Sequence, residues 1–219
     1  MSKSNKYGYS GVDIPTQAFQ ANVGKFDPAE INELVADNKW TQYGQLELIE
    51  TQTVSSAVAQ VDFTSIQEST YNVHFLTAND MKFASTGIGN LGVRFFNSGV
   101  IDTSGYHMAY LRMDLSNFIE TKSTNVSALR INTYSGNTSS TTGLVNGYAY
   151  FYNLGDSTKY SFQTTHSTFI NYDNNFASNF GSGLSPQNSV VDGIRLYDSS
   201  SGNNIANGTF SLYGIKEYS

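Results

Sequence analysis

The residues able to do chemistry are few and scattered along the chain. Histidine occurs only at His74, His107 and His166. These lie far apart, each inside a strand-like pattern, so no short-spaced pair such as His-x-x-x-His is offered to a metal, and three separate core or surface histidines is the plainer reading. Cysteine is absent, which excludes disulfides, thiolate zinc sites and cysteine nucleophiles. The carboxylates Asp114, Glu120, Asp156, Asp173 and Asp198 could supply a glycosidase pair, but nothing in their spacing selects two of them, and a solvated turn role suits each. No Gly-x-Ser-x-Gly elbow supports a hydrolase. Gly87-Ile88-Gly89-Asn90-Leu91-Gly92 has the spacing of a dinucleotide fingerprint, yet Val93-Arg94-Phe95-Phe96 after it reads as a strand, where phosphate binding needs a helix amino terminus; a flexible loop is expected there. Asp173-Asn174-Asn175 lacks the alternating oxygen ligands and closing Glu of a calcium loop and reads as an Asx turn. The sequence therefore predicts no catalytic residue, no cofactor and no metal site.

The best candidate for a working surface is aromatic. Tyr148, Tyr150 and Tyr152 alternate along one strand, with Phe151 facing the other way. Such a row can stack on sugars or anchor a subunit interface, because each tyrosine joins apolar area to a polar tip. The same alternation also fits a core face with hydroxyls reaching the rim.

The elements that must position these residues divide the chain in two. Residues 1 to 39 read as an arm and one short helix. Tyr7, Tyr9, Ile14 and Phe19 make the arm more apolar than a flexible tail, yet too sparse to form a core, so it reads as a segment that orders on a partner. Phe26-Asp27-Pro28-Ala29-Glu30-Ile31 is a helix start: Asp27 as N-cap, Pro28 at the first helical position, Glu30 closing a capping box, Phe26 and Ile31 as a staple. Ile31, Leu34 and Val35 share a helical stripe and Asn38 ends it. Helix and Trp40 either anchor the chain to a partner or plug one end of the domain that follows.

Residues 40 to 219 read as one all-β domain. Alternation over Gln45 to Thr51, Val58 to Phe63, Tyr71 to Phe75, Leu91 to Phe95, Tyr106 to Tyr110, Leu129 to Ile131, Tyr148 to Tyr152, Tyr160 to Phe162, Ile194 to Tyr197 and Thr209 to Tyr213 gives about ten short strands without helical patterns between them. Turn residues separate them at Asn97-Ser98-Gly99, Asn153-Leu154-Gly155-Asp156 and Ser201-Gly202-Asn203-Asn204. The expectation is a jelly-roll-like antiparallel β-sandwich, with Asn171 to Asn188 as a large surface loop. In a chain of 219 residues with 15 Tyr, 14 Phe and only 14% charged side chains, one such domain is ordinary. A formal charge of -6 argues against a nucleic-acid binder, which would cluster Lys and Arg. No stretch is apolar enough for a membrane helix and no signal peptide opens the chain.

The carboxy-terminal residues Val190-Val191-Asp192-Gly193-Ile194-Arg195-Leu196-Tyr197 and Ser201-Gly202-Asn203-Asn204-Ile205-Ala206-Asn207-Gly208-Thr209-Phe210-Ser211-Leu212-Tyr213-Gly214-Ile215-Lys216 resemble the ending of small β-sandwich virion proteins of tailed phages, notably those infecting cyanobacteria. Leu46-Glu47-Leu48-Ile49-Glu50-Thr51 with Val61-Asp62-Phe63-Thr64, and Gly11-Val12-Asp13-Ile14-Pro15-Thr16-Gln17, are similar to the amino-terminal part of such proteins. The resemblance implies a non-enzymatic particle component located on the virion and made in the host cytoplasm, with other virion proteins as partners. Capsid decoration through the arm and helix is the expected role. A tail-associated module that recognises host surface glycans is the alternative. A homo-oligomer, with a trimer favoured by analogy, is expected.

Overall fold

The structure is a computed structural model that describes residues 28–36, 46–84, 87–115, 117–135 and 144–217. The chain divides into two compact units, Met1–Gly44 and Gln45–Ser219. In the first unit, α1 spans Pro28–Ala36 and begins on the proline whose fixed φ and missing N–H suit a first helical turn.

The second unit is the expected all-β, jelly-roll-like antiparallel sandwich. Its strands in chain order are β1 Leu46–Val54, β2 Gln60–Phe63, β3 Val73–Phe83, β4 Leu91–Asn97, β5 Val100–Ile101, β6 Tyr106–Asp114, β7 Phe118–Val126, β8 Leu129–Arg130, β9 Val145–Tyr152, β10 Ser161–Ile170, β11 Phe176–Ser185, β12 Val191–Asp198 and β13 Ile205–Ile215. Eight of them form one sheet in the order β1-β13-β3-β9-β10-β11-β6-β7, and β2-β12-β4-β5 form the other, with β8 beside β4. Every pairing is antiparallel.

Between the sheets lies a core that includes Leu76, Phe83, Phe95, Phe151, Leu196, Phe210 and Leu212, all buried. Phe95 of β4 meets Tyr106 and Phe151 of the larger sheet edge-on, both at 5.8 Å between ring centroids, which is a favourable arrangement for aromatic quadrupoles. The Tyr106 hydroxyl accepts the Phe95 amide at 2.8 Å, so the buried phenol is satisfied. Under β10 and β11 the interior turns polar. Gln163 and Ser167 donate to the carbonyls of Arg130 and Ile131, each at 2.9 Å, and Asn179 donates to Ile131 at 3.3 Å. These bonds tie the Leu129 to Asn132 segment to the larger sheet.

Turns lie where the sequence placed them. Ser98 and Gly99 both adopt positive φ between β4 and β5, and Gly202 does so between β12 and β13, the backbone that tight hairpins require.

Two expectations are corrected. The stretch from Asn171 to Asn188 is not a large loop: after a short turn at Tyr172 to Asn175 it forms β11, paired residue by residue with β10 and β6. Gly181 and Gly183 hide the strand from a periodicity reading, and they are there because the neighbouring chain leaves no room. A Cβ on Gly181 would collide with the Ala109 carbonyl oxygen, and one on Gly183 with the Leu129 side chain. Gly87 to Gly92 is likewise no free loop, since Gly89 bridges to Ser135 and a Cβ there would collide with the Phe83 ring. β7, in a stretch without a clear pattern, is a further strand.

Candidate functional site

Alternation on β9 sends Ala149 and Phe151 into the core and Tyr148, Tyr150 and Tyr152 to the opposite face. The three tyrosines thus lie on the outer face of the larger sheet, not in the core. Register carries this face across all eight strands. One row runs Leu48, Tyr213, Phe75, Tyr150, Thr164, Ser182, Ala109, Lys122. The next runs Ser211, Thr77, Tyr148, His166, Phe180, Leu111, Glu120. Large apolar side chains stand in the open here: Tyr148 is 38% exposed, Phe162 40%, Phe180 44% and Leu48 59%. Exposed apolar side chains gathered on one sheet face make it the candidate contact surface of the domain.

The rings on this face hold one another. Phe75 packs against Tyr148, Tyr150 and Tyr213 at 5.8, 4.7 and 6.1 Å between centroids. Tyr148 stands edge-on to His166 at 5.8 Å, and His166 Nε2 lies 3.0 Å from the Ser178 hydroxyl. Three shallow troughs open among them. One of about 560 Å³ runs over β10, β11, β6 and β7, with Phe162 and Leu184 as apolar walls, Thr164 and Ser182 as hydroxyls, and His107 and Lys122 as polar tips. Another of about 280 Å³ lies between Phe75, Tyr148 and His166, and a third of about 260 Å³ between Leu111, Phe180 and Glu120. The first has the size of a small-molecule site.

The outer face of the smaller sheet is different in kind. Arg195 and Asp62 form a two-pronged ion pair, both N to O distances 2.7 Å. Arg94 lies over the Tyr197 ring at 4.5 Å, and Arg195 over Phe96 at 5.0 Å. Its charges are engaged within the molecule, whereas Glu120 and Lys122 on the larger sheet pair with no described residue.

Other polar groups are structural. Asp198 is buried and accepts the amides of Asn90, Ser200 and Asn203 at 2.9, 3.0 and 2.9 Å. Burial alone would raise its pKa, but these bonds outweigh it and hold the carboxyl below its ordinary value. Asp156 is held well below the usual range, first by Lys159 at 2.8 Å and then by Thr158. Asp173 sits in the β10–β11 turn, where the Asn171 side chain accepts the Asn175 amide at 2.9 Å. His74 faces inward, Nε2 at 2.8 Å from the Ile66 carbonyl. Among the described residues no group of His, Asp and Glu converges on a metal position.

Of the partner-binding residues read from the sequence, Ile31 and Leu34 are half-buried on α1, and Tyr7, Tyr9, Ile14, Phe19, Phe26 and Trp40 lie outside the described residues. Phe75, Phe162, His166, Phe180 and Lys122 join the surface without having been read from the sequence as part of it. Their signal was present on β10, where Phe162, Thr164, His166 and Thr168 alternate with Ser161, Gln163, Thr165 and Ser167, in a phase opposite to the rule that the aromatic faces inward. Compared with family models, characterised proteins and solved structures, the chain matches none.

Proposed function

We propose that the chain is a non-enzymatic structural protein of a phage particle, a capsid decoration or cement subunit. The observation that carries the reading is the outer face of the eight-stranded sheet: rows that bring aromatic and aliphatic side chains into the open, on a sandwich where Asp62, Asp156, Asp198 and Arg195 are engaged in holding turns and strands. A surface that costs solvation and serves no core is retained for contact. The resemblance of the first and last strands to virion proteins of tailed phages supplies the setting. The docking role of residues 1 to 39 rests on their composition and on that resemblance; the sheet adds a second contact face.

The test is imaging of purified particles labelled for this protein. Label spread over the facets is the expected result, and particles that carry none overturn it. The trough beside Phe162 favours one second reading, a tail-associated module that binds a host surface glycan, with Phe162 as stacking platform and His107, Thr164 and Lys122 as polar contacts. Label at the tail, together with retention of host polysaccharide that Phe162→Ala abolishes, selects it.

A further inference from the structure

Among the described residues the larger sheet ends in two edge strands, β1 and β7, each with one break in register. β1 is broken by a register shift between Leu48 and Glu50, and such bulges blunt an edge against pairing. In the smaller sheet β2 has four residues and β5 and β8 have two each, too short to template a partner strand. β7 keeps a longer run, Phe118 to Ser123, ahead of its own break in register before Val126. Over that run Phe118 lies opposite Met113 and Ser123 opposite Met108; the strand contains no proline, and pairs with β6 alone among the described residues. At its start Phe118 is 76% exposed.

Which of its backbone groups point outward follows from the ladder. The Asp114 amide donates to the Asn117 carbonyl at 3.0 Å, so 114 and 117 form a hydrogen-bonded pair. Antiparallel strands alternate bonded and non-bonded pairs, which leaves residues 119, 121 and 123 bonded toward β6. Phe118, Glu120 and Lys122 therefore direct their amides and carbonyls to the open edge, up to the break in register after Ser123.

We infer that β7 is the site at which a second copy of this chain pairs, antiparallel, about a two-fold axis through Thr121. In that register Glu120 of one copy lies opposite Lys122 of the other, so the outward backbone groups of both residues meet outward groups of the partner strand, and Phe118 reaches the break beside Thr124. The side chains agree with the backbone. Glu120 and Lys122 share the outer face and pair with no other described residue, and the axis turns them into two cross-strand ion pairs. A slip by two residues either way keeps the backbone match but sets Glu120 against Glu120 or Lys122 against Lys122, so charge selects one register. The contact is isologous and closes at two copies, joining two larger sheets into one with the Phe180 troughs side by side across the seam. A two-fold pair replaces the trimer that the resemblance suggested. Pairing at this edge is independent of the particle reading.

Sedimentation of the full chain at micromolar concentration tests it, with far-ultraviolet spectra and melting curves to certify each variant as folded. The wild type is expected at twice the 24.0 kDa of one chain. Glu120→Lys and Lys122→Glu each place two like-charge pairs across the axis and should weaken the dimer by about tenfold or more. The double variant E120K/K122E exchanges the charges and should restore it. A wild type that is monomeric or trimeric, single variants that dimerise as well as the wild type, or a folded double variant that stays monomeric would each overturn the inference.

Discussion

Phe75 on β3 and Tyr150 on β9 stand directly opposite each other, their rings 4.7 Å apart and tilted by 36°, on the face of the larger sheet turned away from the core. An aromatic pair on a core face would contribute to holding two sheets together. Here its rings pack against neighbouring rings of the same face and not between the two sheets. Tyr148→Ser combined with Phe162→Ser should therefore shift thermal stability by no more than about 1 kcal/mol, while retention on the binding partner drops. Paired calorimetry and pelleting assays on the same preparations check both halves.

Crowding at Gly181 gives a prediction of the opposite kind. The nearest neighbours of an added Cβ are backbone, the Ala109 carbonyl oxygen and then Tyr110 Cα at 2.7 Å, and neither can swing away. Gly181→Val should destabilise the domain by about 1 to 3 kcal/mol, read as a lower denaturant midpoint. Because Gly99 has no atom near its Cβ position but carries a positive φ of 74°, Gly99→Ala should cost less, of the order of 1 kcal/mol.

These two regions also show what the sequence could and could not convey. Where one face is apolar and the other polar, as in Leu91 to Phe95 or Thr209 to Tyr213, alternation placed the strand and its inner face correctly. On β10 both faces carry mixed chemistry: Phe162 points out and Gln163 points in, because the interior there is a polar layer that binds the carbonyls of Arg130 and Ile131. Hydropathy alone gives no way to choose the phase. β11 was lost for another reason, since its two glycines answer to the approach of β6 and the Leu129 side chain, which is tertiary information. The tyrosines of β9 were legible as a set but not as a face, because alternation names two faces and not which one meets the core.

Tyr71 should titrate late. Its hydroxyl donates to Glu47 Oε2 at 2.5 Å, and Lys216 Nζ lies 3.2 Å from Glu47 Oε1. The bond to Glu47, then burial, push the phenol up to about 12, while the bond from Tyr71 first and then that from Lys216 draw the Glu47 carboxyl down. A phenol whose folded value lies above its unfolded value of ~10 adds stability that is present below pH ~10 and lost as pH rises toward the folded value. Tyr71→Phe should remove one late phenolate transition seen by ultraviolet absorbance near that pH, while the buried Tyr106 and Tyr110 titrate later still, and should flatten that part of the alkaline stability profile.

Acid should act through His74. Burial pushes this imidazole below its ordinary value, against the smaller opposing effects of the Ile66 carbonyl and the Glu68 charge. The folded state then binds the proton less tightly than the unfolded state, so the contribution of His74 is present above the unfolded value of ~6.5 and lost as pH falls through the folded one. His74→Leu should lessen the fall in melting temperature on acidification below neutrality. At pH 7 it should cost about 1 to 3 kcal/mol, because the Ile66 carbonyl loses its side-chain partner. Calorimetry of both proteins across that range decides it.

On the proposed reading, contact with the particle runs through the outer face of the larger sheet. Hydroxyl-radical footprinting of the full chain, free and bound to particles, tests it side chain by side chain. Strong protection of Tyr148, Phe162 and Phe180 is expected on binding, with Tyr197 and Phe96 on the smaller sheet labelled as in the free protein. Protection confined to Tyr197 and Phe96, with Tyr148, Phe162 and Phe180 labelled as before, would contradict it.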